Sequence, residues 1–174
     1  MRIWSAFLAA LIVLVGVTAW AQTAEDIQKF PSCKYCGMDR QKFAHSRMLI
    51  EYDDGSAMGA CSIHCLAIDL SQSLDRTPKS LQVADYQSKN LIDTEKAHWV
   101  IGGKKDGVMT KRAKWAFAKE GDVRQFIKEN EGKLDNFDGA MKATYEDMYA
   151  DTKVIRERRA KKRMMQQQQQ QHSK

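Results

Sequence analysis

The chain has 174 residues, with 28 lysine and arginine residues against 22 aspartate and glutamate residues, and a formal net charge of +6. That length suits one compact domain or two small ones that share an interface. Residues 151–174 hold eight of the basic residues, so the rest of the chain is nearly neutral. A folded region of this kind does not offer the basic surface that nucleic-acid binding requires.

The first 21 residues have the pattern of a secretory signal peptide. Arg2 is the only charged residue before Glu25, residues 7–17 are almost entirely apolar, and Ala19-Trp20-Ala21 has the small-x-small form of a cleavage site. The apolar run is well short of the roughly 20 residues that span a bilayer. We therefore expect cleavage before Gln22, export to the periplasm and a soluble mature protein.

The first half of the mature chain predicts a leader, a β-hairpin and a helix. Residues 22–31 indicate a short, poorly ordered leader. Strands at Met48–Tyr52 and Ala57–Cys61 flank the turn residues 53–56, where Gly55 supplies the positive φ that a tight turn needs. Ser62 is a suitable helix N-cap. Apolar residues then follow at helical spacing, until Pro78 ends the helix: Ile63, Leu66, Ala67, Leu70 and Leu74.

The second half predicts a similar series of elements. Strands are expected at 81–86, 97–101, 108–117 and 134–137, a loop at 102–107, and helices at 121–130 and from Gly139 through Tyr149. The whole pattern predicts an α+β fold of two small β-β-α-β-like units, at residues 22–80 and 81–150.

Residues 151–174 predict a basic, Gln-rich tail that is helical at first and then disordered. A solvated extension is the favoured interpretation. The alternative is an electrostatic tether that contacts an anionic membrane surface or an acidic partner.

All four cysteines lie within 33 residues, in two pairs. In Cys33-Lys34-Tyr35-Cys36-Gly37-Met38, a turn can direct both sulfurs toward one ion, and Gly37 lets the backbone bend closely around it. In Cys61-Ser62-Ile63-His64-Cys65, the start of a helix would stabilise nearby thiolates. A hairpin between the two pairs would bring them together, with His64 as a further candidate ligand.

Three interpretations of these cysteines remain open. In the first, the cysteines hold a structural zinc ion, either all four together or three of them with His64. In the second, they form disulfides, which are the default for paired cysteines in an oxidising compartment. Finally, they would bind a transferable copper(I) ion, which soft thiolate and thioether donors prefer. Nearby methionines favour copper: Met38, Met48, Met58 and Met109.

Several motifs together resemble the nitrous oxide reductase accessory protein family (NosL). They are the Cys33–Met38 motif, the hairpin with its Asp-Gly turn, Ala97-His98-Trp99-Val100-Ile101-Gly102-Gly103, and Gly107-Val108-Met109-Thr110. The resemblance extends from about Cys33 to Phe137.

The resemblance implies a periplasmic copper(I) chaperone that helps to supply copper to a client protein, nitrous oxide reductase. It also implies a fold of two β-β-α-β-like units similar to an organomercurial lyase domain, and it makes Cys33, Cys36, Met38 and Met109 candidate ligands. This chain lacks the lipobox of typical members, and its Cys61–Cys65 motif is not part of the usual pattern. The added thiols predict a divergent member with a richer site: Cys33, Cys36, Met38, Cys61, His64, Cys65 and Met109.

An enzymatic role is not expected, because the sequence has no glycine-rich phosphate loop, no nucleophile elbow and no HExxH motif. Kinship to a lyase fold does not transfer a reaction, because activity depends on the site.

Overall fold

The computed structural model describes residues 24–172. These residues form two antiparallel sheets and four helices, which confirms the predicted α+β class. In chain order, the elements are α1 Glu25–Lys29, β1 Met48–Tyr52, β2 Ala57–Ala60, α2 Ile63–Gln72, β3 Pro78–Ala84, β4 Leu91–Asp93, β5 His98–Asp106, β6 Arg112–Phe117, α3 Glu120–Asn130, β7 Lys133–Asp135 and α4 Phe137–His172. None of the helices in this range is long and apolar enough to cross a membrane. The predicted signal peptide lies outside the described residues.

Each sheet is built from a β-β-α-β unit with the same connectivity. The first sheet has the order β2-β1-β3-β4, and the second has the order β6-β5-β7. In both, the strand that follows the helix returns to pair antiparallel with the first strand of its unit. The predicted repeat is therefore present, with β4 as an addition to the first unit.

The predicted hairpin forms β1 and β2 because its turn residues and the alternation of its buried side chains both favour that structure. Gly55 has a φ of +80°, and the Asp54 carboxylate accepts a hydrogen bond from the Ser56 amide over 2.8 Å. Alternate residues of β1, namely Met48, Ile50 and Tyr52, are buried, as expected for a sheet with one face on the core. This register directs β2 toward the start of α2.

Tyr86 joins the two units. Its backbone amide donates to the Ala116 carbonyl over 2.8 Å, and its ring lies 5.2 Å from Trp115 and 5.1 Å from Phe126. Asp85 supports the same junction, because its buried carboxylate accepts the amide of Ala118 over 2.9 Å. Edge-to-face aromatic pairs of this kind stabilise beyond the area that they bury.

Several predicted elements have different bounds in the structure. The boundary predicted at residue 80 falls within β3, which pairs with β1, so the first sheet extends to Asp93. The loop predicted at 102–107 lies largely within β5, where the Gly102 and Gly103 residues have positive φ angles and the register with β6 shifts. The strand predicted from Val108 begins at Arg112. Here glycine interrupts a strand without ending it, as in a β-bulge.

Both ends of the described range, residues 24–172, contain more regular structure than predicted. The segment predicted as a leader contains α1, and α4 continues to His172, where the sequence predicted a helix that gives way to disorder. The tail is helical because its alanine, lysine, arginine, methionine and glutamine residues are all good helix formers.

The helix α2 is shorter than predicted at its C-terminal end. Leu74 lies beyond the last turn of α2 and is exposed, and Ser62 makes no side-chain capping hydrogen bond at the other end.

A buried ionic cluster fixes α1 against the first sheet. The Asp26 carboxylate accepts two hydrogen bonds from Arg47, each 2.9 Å long, and one from Arg40 over 2.7 Å. Burial alone would raise the pKa of Asp26, but the hydrogen bonds and charges of the two guanidinium groups outweigh it and lower the pKa. Arg40 also donates to the carbonyl of Ala60, at the end of β2.

Replacing Asp26 with asparagine should lower the free energy of unfolding by about 3 kcal/mol, because two buried guanidinium groups lose their anionic partner. The difference should be full above the pKa of the unfolded carboxyl group, and it should disappear as the pH falls through the lower pKa of the folded protein. Urea unfolding at several pH values measures it. The exposed Asp75→Asn variant is the control, and an equal loss in both variants would contradict the prediction.

Candidate metal centre

A tight turn presents the first pair of cysteines. The Cys33 amide donates to the Met38 carbonyl over 2.8 Å, and the Gly37 amide donates to the Cys33 carbonyl over 2.9 Å. Gly37 has a φ of +73°, a conformation that side chains disfavour. These bonds close residues 33–38 into a loop, hereafter the knuckle.

The second pair lies where β2 passes into α2. Cys61 directly follows β2, and Cys65 lies in the first turn of α2. The Ser46 hydroxyl donates to the Cys61 carbonyl over 2.8 Å, and the Lys34 amide of the knuckle donates to the Gly59 carbonyl over 3.4 Å. The knuckle therefore lies directly against the end of the hairpin.

The four sulfur atoms form one cluster, and all lie within 4.8 Å of one another. Cys36 Sγ is 3.4 Å from Cys61 Sγ, which is 3.8 Å from Cys65 Sγ. All four cysteines are free thiols. An ion with four sulfur ligands at about 2.3 Å in a tetrahedron separates those sulfurs by about 3.8 Å. The spacing is thus suited to a single metal ion.

Only one of the four cysteines in the cluster is partly exposed to solvent. Cys33, Cys61 and Cys65 are buried, whereas Cys36 is partly exposed. Hydrogen bonds from Cys36, Cys61 and Cys65 lower the pKa of the Cys33 thiol, and the interaction with Cys33 together with burial raises the pKa values of Cys61 and Cys65. One thiolate is therefore stabilised by neighbouring thiols, and binding of a metal ion would release their protons.

Asp69 connects the knuckle to α2. Its fully buried carboxylate accepts hydrogen bonds from Lys34 over 2.9 Å and from the hydroxyl groups of Tyr35 and Tyr52, each over 2.5 Å. Burial and the bond to Asp69 raise the pKa of Tyr52 to about 12, so this hydroxyl remains a donor. Lys34 and Tyr35 are the two residues between Cys33 and Cys36, and Asp69 lies one helical turn after Cys65. One carboxylate thus holds both cysteine-bearing segments in place.

Sequence reasoning did not identify Asp69 or Arg40, although Asp69 left a signal. It is the only acidic residue in the predicted helix 63–74, and it lies four residues after Cys65, on the same side of that helix. An aspartate close to a candidate ligand in this way is rarely buried unless it is paired.

The other predicted ligands are His64, Met38 and Met109, and His64 does not belong to the group of converging ligand atoms. His64 is buried, with Nδ1 3.8 Å from the Asp151 carboxylate of α4, and neither of these two atoms has a hydrogen-bond partner among residues 24–172. Met38 and Met109 line a cavity of about 930 Å³ between the knuckle and α4. Cys36 is the only cysteine that lines it, so the two methionines lie on the accessible side of the cluster.

A profile of the NosL family matches residues 24–145 of this chain, and the chain belongs to that family. The structural similarity agrees with this. The crystal structure of the copper chaperone NosL from Shewanella denitrificans superimposes with a TM-score of 0.52 at 22% sequence identity, and the match covers 67% of this chain and 93% of that one. No curated protein matches. The family resemblance predicted from the motifs is therefore confirmed.

Replacing Asp69 with asparagine should raise the dissociation constant for a thiolate-bound ion by about 10–100-fold, because the knuckle loses its attachment to α2. Competition with a chelator, using copper(I) and zinc(II) in turn, measures the change. The matched control is Asp85→Asn, which removes another buried carboxylate, at the junction of the two units. The Asp85→Asn variant should lose stability but keep its metal affinity. Equal affinity losses in the two variants would contradict the prediction.

Proposed function

We propose that this protein is a periplasmic copper(I) chaperone that binds one copper ion in its sulfur cluster and passes it to a copper enzyme. The observation that carries the proposal is the convergence of four free thiols within 4.8 Å. Soft sulfur donors prefer copper(I) to hard cations. Membership of the NosL family supports the same assignment, together with a non-catalytic role.

The exposure of Cys36 supports transfer rather than permanent storage. Copper(I) is stable with two or three sulfur ligands, so it does not need all four thiolates at once. A thiolate or thioether of an acceptor can approach the ion through the cavity and replace Cys36, while the buried Cys33, Cys61 and Cys65 keep the ion bound until exchange is complete. Met38 and Met109 line this route and are soft donors for the same ion.

The client that we propose is a multicopper enzyme, and nitrous oxide reductase is the one that the family resemblance implies. The solved relative is named a copper chaperone. The added Cys61 and Cys65 would bind the ion more tightly than a knuckle alone. An acceptor for this chain must therefore offer competing sulfur or nitrogen ligands of its own.

A structural zinc site is the second candidate function, and one observation favours it. Three of the four cysteines are buried, and the sulfur spacing agrees with the closed tetrahedral site that structural zinc occupies. Such a site would stabilise the first unit for a binding role, and its metal would not be transferable.

Anaerobically reduced protein should bind one equivalent of copper(I) and release it to an acceptor chelator. Cys33→Ser should lower the affinity by more than tenfold, while Cys36→Ser should lower it less and speed the transfer, because the acceptor then has no thiolate to displace. Chelator absorbance and metal analysis provide the readouts. Protein that purifies with zinc, ignores copper(I) and unfolds on chelation would establish the zinc site instead.

Export should remove residues 1–21, because Ala19-Trp20-Ala21 has the form of a cleavage site. Mass spectrometry of the periplasmic fraction should find a protein that begins at Gln22. An Ala19→Arg, Ala21→Arg variant should accumulate uncleaved. Full-length protein confined to the cytoplasm would contradict a periplasmic role.

A further inference from the structure

The segment of α4 from Lys153 to Arg163, hereafter the basic segment, carries the entire charge excess of the chain. It holds seven basic residues and Glu157, and the residues outside it comprise 21 basic and 21 acidic ones. All seven basic side chains are exposed, and none forms an ion pair within residues 24–172. They are Lys153, Arg156, Arg158, Arg159, Lys161, Lys162 and Arg163.

These charges repel one another along the helix. Arg158 and Lys162 are four residues apart, as are Arg159 and Arg163, and each such pair of like charges costs a helix about 0.2–0.5 kcal/mol. An anionic surface placed against the basic segment would replace this repulsion with attraction. In the free protein, no ion pair within the described part of the chain offsets this repulsion.

The basic segment lies at the mouth of the metal centre. Arg158 and Arg159 line the same cavity as Cys36, and an Arg159 guanidinium nitrogen donates to the Cys36 carbonyl over 3.4 Å. Two of the seven positive charges therefore lie beside the partly exposed thiol. Charge arranged around a cleft in this way accelerates the arrival of an oppositely charged partner.

We propose that the basic segment is the docking surface for an acidic face of the protein that exchanges metal with Cys36. This inference rests on the proposed function, because it assigns a partner to that site. A membrane surface fits the geometry less well. The large apolar residues within the segment, Val154 and Ile155, line the cavity and provide no continuous stripe for insertion into lipid. A bilayer lying there would also cover the mouth beside Cys36.

The test uses two synthetic acceptor peptides that share one Cys-x-x-Cys sequence, one flanked by glutamate and the other by glutamine. Copper-loaded protein is mixed with each peptide, and copper in the ultrafiltrate is followed with time. At low ionic strength, the acidic peptide should remove copper about tenfold faster than the neutral one, and the difference should shrink at physiological ionic strength.

The variant Arg158→Gln, Lys161→Gln, Lys162→Gln should clearly reduce the difference between the peptides, because it removes three of the seven positive charges while glutamine keeps helix propensity. Its control removes three exposed lysines that do not line the cavity: Lys79→Gln, Lys119→Gln, Lys128→Gln. An unchanged rate ratio in the first variant, or an equal loss in both, would overturn the docking surface while leaving copper binding intact. Loaded protein that binds phosphatidylglycerol vesicles and then resists copper removal would identify a membrane as the occupant and overturn the proposal. Failure to bind copper(I) at all would remove the proposed function itself.

Discussion

Two buried charged side chains hold the knuckle where its sulfurs can meet those of Cys61 and Cys65. Asp69 ties the knuckle to α2 through Lys34 and Tyr35. Arg40 ties the end of β2 to α1 and to the Phe30 carbonyl. A buried charge is costly unless it is fully paired, so each of these groups restricts its surroundings to one arrangement. The geometry of the sulfur cluster depends on that restriction, since a turn and a hairpin alone could approach one another in several ways.

Local patterns predicted much of the fold. The Asp-Gly turn with its flanking alternation predicted β1 and β2, and helical spacing predicted α2 and α3 within a few residues. Long-range effects were not predictable from such patterns. Residues 22–31 are too polar and too short to indicate α1, which is ordered because Asp26 binds Arg40 and Arg47. The extension of β5 through Gly102 and Gly103 has a similar origin. A Cβ atom at Gly103 would lie 2.6 Å from the Asn130 carbonyl oxygen, so the end of α3, which is distant in the sequence, determines that this residue is glycine.

The same distinction applies to the site. Cysteine spacing predicted that two pairs would converge, because the intervening segment was recognisably a hairpin. It did not reveal which cysteine would be partly exposed, since the exposure of Cys36 depends on the path of α4. Cysteine spacing was a weaker guide to the position of His64. Although two cysteines flank it, its ring nitrogen faces Asp151, because successive residues of a helix point in different directions.

Only one of the two β-β-α-β units carries thiols. In the other, the corresponding end of β6 and the start of α3 contribute Phe117, Val123 and Phe126 to an interior of aromatic and aliphatic side chains. Cysteine substitutions in the first unit would therefore leave the aromatic packing of the second unit unaltered. The repeated strand order thus separates the residues that give this protein its sulfur chemistry from most of those that give it an aromatic interior.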